Sequence, residues 1–185
     1  MTSLQTTSFP GFGLTMLCTL VLGACASTKV PDSLARPVPA ALKPADNEVA
    51  AFTWHAVRSQ IYECRTDGKC AWTWVFVTPE AELFNQKDEK VGTHGAGPNW
   101  TALDGSKTVG SVKARVNGER AADIPLLLLS AKSAGGTGKM AGITSVQRLN
   151  TEGGNAPAKG CASQNDAGKR IKEGYTSDYV FFTAR

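Results

Sequence analysis

The sequence predicts an all-β chain: a single-domain β-sandwich or flattened β-barrel with at most one or two short helical turns. Period-2 alternation is the first reason. In AWTWVFV, Trp72, Trp74 and Phe76 alternate with Thr73, Val75 and Val77, and in YTSDYVFF, Tyr175, Tyr179 and Phe181 share one face. Turn pairs supply the second: Asp67-Gly68, Asp104-Gly105, Asn117-Gly118, Gly135-Gly136 and Gly153-Gly154 punctuate the alternating runs. Third, the runs follow one another at intervals of about 8–15 residues, which suits a sandwich or barrel.

Taken from the N-terminus, residues 1–24 read as a signal peptide. Leu14 to Leu22 is an apolar run of h-region length, too short to span a bilayer. Leu22-Gly23-Ala24-Cys25 resembles the bacterial lipobox, although the preceding residues hold no Lys or Arg. The resemblance implies a lipidated Cys25 at the mature N-terminus, a membrane as partner, and, with Ala26 next, an outer-membrane address in the cell envelope. Residues 25–46 follow as a tether with Pro31, Pro37, Pro39 and Pro44 and little apolar periodicity.

Residues 47–185 are enough for one domain with one core. RSQIYECR and AWTWVFV read as successive strands, the tryptophans facing the core. PEAELFNQK suggests a helical turn, with Pro79 in first-turn position and Glu80 and Glu82 near the N-terminus. SVKARV puts Val112, Ala114 and Val116 on one side and Lys113 and Arg115 on a solvated side. IPLLLLSA is a continuous apolar run fit for a strand buried on both faces, and AGITSVQRLN and YTSDYVFF complete the set. Net charge is +4 and spread out, with no basic cluster, which argues against nucleic-acid binding.

GGTGKMAG (135–142) contains a G-x-G-x-x-A pattern and a Gly-Lys pair. A phosphate loop would need Gly at 133 and Ser or Thr at 140, where the chain has Ser133 and Met140, and a dinucleotide loop would open a helix. A hairpin turn is the expectation, and no cofactor follows. GTHGAGPNWTALDGSKTVG (92–110) carries the richest chemistry. His94 could act as acid or base with Asp104 orienting it, and Ser106 would complete a Ser-His-Asp set. Asp104-Gly105-Ser106 is equally what a β-turn wants. In a binding reading, Trp100 lies in a Gly-rich loop and stacks on a small molecule or glycan, with His94, Asn99 and Asp104 beside it. His55 and His94 are the only histidines, at no motif spacing, so no metal site is expected.

Of five cysteines, Cys18 leaves with the signal and Cys25 takes the lipid. Cys64, Cys70 and Cys161 remain in an oxidising compartment, where one disulfide is expected. Cys64 and Cys70 flank a hairpin loop and could face each other. A Cys64–Cys161 link closes a far longer loop, which the chain-entropy model favours at roughly 4–5 kcal/mol.

Six blocks occur in a distinctive order: SQIYEC (59–64), WVFVTPEAELF (74–84), residues 92–110, IPLLLL (124–129), QRLNTEGGNAPAKGC (147–161) and YTSDYVFF (175–182). Together they resemble the domain-of-unknown-function family 3455, secreted or lipid-anchored single domains without an established activity. Its His-x-x-GP-x-W and DGS elements fall on His94, Pro98, Trp100, Asp104, Gly105 and Ser106. Its cysteine pair falls on Cys64 and Cys161, leaving Cys70 free. The family's usual IPW reads Ile124-Pro125-Leu126 here. The resulting expectation is a non-enzymatic envelope lipoprotein that binds a small molecule or glycan. A hydrolase centred on His94 and Asp104, and a scaffold in a cell-surface complex, are the competing readings.

Overall fold

A computed structural model describes residues 37–66, 68 and 71–185. The segment read as a signal peptide, Cys25, the first part of the segment read as a tether, and Cys70 lie outside the described residues. Eight strands form one closed antiparallel barrel in sequence order: β1 (Glu48–Thr66), β2 (Trp72–Phe84), β3 (Lys90–Gly95), β4 (Asn99–Ala102), β5 (Lys107–Val116), β6 (Leu126–Gly135), β7 (Ile143–Gly153) and β8 (Arg170–Ala184). β1 closes the barrel by pairing with both β2 and β8. The expected all-β domain is therefore a barrel, and 3-10 turns at Ala40–Leu42 and Gln164–Asp166 are the helical content among the described residues. Eight strands enclose a space that side chains can just fill, or that can hold one small ligand.

The alternation sets the inner face. Trp54, Ala81, Leu83, Trp100, Leu127, Leu129, Val146, Tyr175, Tyr179 and Phe181 form one buried cluster. Phe52 stacks on Phe181 at 4.8 Å, and Trp54 meets Phe181 edge-on at 5.1 Å. Outside the wall lies a second cluster of Leu128, Leu149, Val180 and Phe182, covered by Val38 and Leu42. That cover explains why LLLL is apolar on both faces: Leu127 and Leu129 face the lumen and Leu128 faces the strap. Leu42 is fully buried, and its carbonyl accepts a hydrogen bond from the buried Gln147 amide (2.6 Å). Burying a leucine contributes about 1.5–3 kcal/mol. The segment read as a free tether to residue 46 is thus laid on the barrel from about Pro37 onward.

Three further expectations are corrected. PEAELF is strand, not helix: Ala81 and Leu83 are buried while Glu80 and Glu82 carry ion pairs to Lys172, Arg58 and Lys90 on the outside. Pro79 is tolerated because β3 pairs with β2 only from Ala81, and because a bulge at Ile61/Tyr62 adjoins it. Trp72, Trp74 and Phe76 precede that pairing, so they line a free edge rather than the core, and Phe76 is 49% exposed. In β5, a bulge between Val112 and Ala114 shifts the phase by one residue. Val112 and Arg115 pair with the inward-facing Leu129 and Leu127, while Ala114 and Val116 turn out toward the strap.

The Cys64–Cys161 disulfide, with 5.5 Å between Cα atoms, fastens the β7–β8 connection to β1. The same connection is pinned by Trp74 Nε1, which donates to the Lys159 carbonyl (3.0 Å).

Candidate functional site

Of the residues in 92–110, only some come together. His94 on β3 stands opposite Trp100 on β4, and the rings stack at 4.9 Å and 14°. Trp100 is fully buried and meets Tyr179 and Phe181 edge-on. Gly110 exists for this ring: a Cβ there would sit 2.9 Å from the indole. Trp100 is therefore a core residue of a strand, not an aromatic platform in a loop.

His94 Nδ1–H donates to the Asn99 carbonyl (2.8 Å), which leaves Nε2 with its lone pair. Burial drives the imidazole pKa down to about 3, with the Arg148 charge adding to the effect, so the ring is neutral near pH 7. Asn99 closes the β3–β4 turn by donating its amide to the Ala96 carbonyl.

Asp104 and Ser106 serve a different place. Asp104 accepts the Ser106 amide (2.9 Å), the Ser106 hydroxyl and the Lys139 amide (2.8 Å), while Ser106 Oγ accepts the Met140 amide (3.0 Å). These donors, the Lys139 amide first, hold the Asp104 carboxyl below its ordinary value. The β4–β5 turn is thereby locked to the β6–β7 loop, whose Met140 is buried in the core. GGTGKMAG is this connecting loop. Asp104 orients Ser106 rather than His94, and the serine hydroxyl is consumed in the lock.

At the opposite end, His94 borders a cavity of about 490 Å³. Gln60 and Tyr62 of β1, Phe76 and Pro79 of β2, Val112 and Arg115 of β5, Ile124 and Leu127, and Arg148 of β7 supply most of its wall. The free edge of β2 leaves this end open. Its rim is built by the NTEGGNAP segment. Asn155 donates to the carbonyls of Ala121 and Asp123 (both 2.8 Å), and Asp123 accepts the Gly153 amide (2.7 Å) and the Arg120 guanidinium. Arg120 holds the Asp123 carboxyl down to about 2. Gly154 approaches so closely that a Cβ would lie 2.7 Å from Tyr175 and 3.2 Å from Gln60, and its carbonyl accepts the Tyr62 hydroxyl (2.8 Å).

Gln60 Nε2, Trp100 Nε1, and the hydroxyls of Thr151, Tyr175, Ser177 and Tyr179 are buried with no hydrogen-bond partner among the described residues. Burial pushes the Tyr175 hydroxyl far up in pKa. Arg148 donates Nε and Nη2 to the Pro125 carbonyl (3.0 and 2.8 Å), which holds the guanidinium at the wall.

Sequence reasoning missed Gln60, Arg115 and Arg148. The signal was there for two of them: Gln60 shares the phase of Tyr62 and Cys64, and Arg148 that of Val146, so each is a polar residue on an apolar face. Arg115 was hidden by the bulge. No group of three or more His, Cys, Asp or Glu suited to a metal ion occurs among the described residues.

A family model described as Protein of unknown function (DUF3455) matches residues 44–183, and the chain belongs to that family. Comparison with curated proteins and with solved structures brought no match.

Proposed function

We propose that this protein is a non-enzymatic binding module whose barrel takes a small molecule into the cavity bordered by Gln60, His94 and Arg148. One observation carries the reading: the cavity sits at a barrel mouth, has a volume within the usual range for ligand sites, and joins apolar walls to the buried Gln60 amide, whose Nε2 lacks a partner. An unpartnered buried donor costs about 1–3 kcal/mol, a cost that a ligand with matching acceptors removes. Hydrolysis through His94 and Asp104 finds no support in this geometry, because the two residues face opposite ends and neither addresses the other.

The test is a block at the mouth. Val112 is 48% exposed, so Val112→Trp can be made without disturbing the core. Titration with decan-1-ol, followed by calorimetry, should show saturable binding to the wild-type protein and none to Val112→Trp, with melting temperatures alike. Equal binding by both would place the ligand elsewhere.

We also propose that the barrel is held at the outer membrane of a bacterial envelope by a lipid on Cys25, on the strength of Leu14–Leu22 and Leu22-Gly23-Ala24-Cys25. Cys25→Ser should move the protein from the membrane fraction to the soluble periplasmic fraction. Unchanged membrane association would refute the anchor.

A further inference from the structure

We infer that the ligand is a single-chain amphiphile with an anionic head, seated with its head on Arg148 and Arg115 and its apolar body against Phe76, Val112 and Tyr62. The inference rests on the binding reading above and names its ligand class. Four observations bear on it.

Both arginines border the cavity, and no Asp or Glu does among the described residues. Each stands opposite Leu127, from β5 and from β7, so the two cations come from strands on either side of β6 and converge at one level of the barrel. The exposed Arg115 side chain makes no hydrogen bond or ion pair with a described residue, and Arg148 spends Nε and Nη2 on the Pro125 carbonyl while Nη1 remains. A guanidinium fork with a free edge matches the paired oxygens of a carboxylate or phosphate.

Deeper in, Gln60 is 2% exposed and its Nε2 has no partner, so an amide donor faces the same space. Toward solvent the character reverses. Phe76 and Val112 are two of the few large apolar side chains that the barrel exposes, and both sit at this mouth. Phe76 meets Tyr62 edge-on at 5.8 Å. An apolar surface at the rim beside inward cations suits a chain that leaves the head at the arginines and runs out along the aromatics. A sugar would leave that rim uncovered, and a simple inorganic anion would use neither Phe76 nor Val112.

The experiment compares matched ten-carbon probes by calorimetry at low ionic strength: decanoate, decyl phosphate and decan-1-ol. At least one anion should bind about tenfold or more tightly than the alcohol, the gain expected of charge-assisted hydrogen bonds. Arg115→Gln and Arg148→Gln should each erase most of that preference, so that the anion binds the variant no more tightly than decan-1-ol does. Arg115→Gln is the decisive variant, because no described contact depends on that side chain. Whichever anion binds more tightly assigns the head as carboxylate or phosphate. Decan-1-ol binding as well as both anions would overturn the anionic head while leaving the binding module standing. If none of the three binds, the binding reading itself falls. Anion preference that persists in Arg115→Gln and Arg148→Gln alike would place the head elsewhere.

Discussion

The two ends of the barrel are built from the same strands and do opposite things. At one end, Phe52, Trp54 and Phe181 pack ring on ring, Met140 is buried among them, and Asp104 and Ser106 brace one turn with two hydrogen bonds and tie it to a second loop with two more. A broad surface depression of about 620 Å³ remains there, in which Asp104 is held in the lock, Asn85 donates to Glu89 (2.7 Å) and Lys139 lies over the Phe52 ring at 4.3 Å. At the other end β2 runs free of β3, the exposed Arg115 and half-buried Arg148 border the mouth, and the buried Gln60 amide lacks a partner. The difference teaches that polar residues in a motif are poor guides until their partners are known. The Asp and Ser of DGS are spent on structure. The arginines and glutamine of ordinary-looking strands are not.

The closed end and its central stack should be fragile to truncation. Trp100→Ala should cost about 3–5 kcal/mol, the usual range for emptying a large aromatic site, and show as a steep fall in the chemical denaturation midpoint. A cost below about 1 kcal/mol would deny Trp100 its core position. Opening the link at the other end comes next. Cys161→Ser removes a bridge with a sequence separation of 97 and should cost about 2–4 kcal/mol, while loosening the NAPAKGC rim. Such a variant should bind decan-1-ol more weakly than the loss of stability alone accounts for.

Asp104→Ala strips the acceptor from the Lys139 amide and from Ser106. It should cost about 1–3 kcal/mol without altering affinity at the open end. Reduced affinity in this variant would mean that the two ends communicate.

The remaining effect is with pH, spread over several units rather than met at one condition. The folded His94 resists protonation until about pH 3, whereas the unfolded chain takes a proton near 6.5, so the unfolded state binds more protons across that window. Stability should decline as pH falls from about 6.5 toward 3. Below about 4 it should fall faster, as the unfolded chain also protonates Asp123, whose folded value is about 2. Melting temperatures of wild type and His94→Gln across this range should differ in slope between pH 6.5 and 4, the variant being flatter.

Much of the fold was legible because the lumen enforces period 2: YTSDYVFF placed Tyr175, Tyr179 and Phe181 on one face, and all three are buried there. The cysteine pairing was legible from the family pattern more than from spacing. PEAELF misled because Pro and two glutamates look like a helix start, whereas Ala81 and Leu83 obey the barrel. Trp100 misled because its Gly-rich flanks resemble a loop; those glycines bracket a four-residue strand, and Gly110 clears space for its ring. The site was the least legible part. Arg115 faces inward only because a bulge at Val112 shifts the register, and no local pattern announces a bulge. Arg148 and Gln60 break apolar phases, a signal that sheds its ambiguity only when the phases are known to face one lumen.

Amide chemical-shift mapping on addition of decanoate to the protein tests the central claim most directly. The account predicts saturable shifts concentrated at Gln60, Tyr62, His94, Val112, Arg115 and Arg148, with the amides of Phe52, Trp54, Asp104 and Lys139 still. Shifts centred on that second group, or none at saturation of the titration, would contradict it.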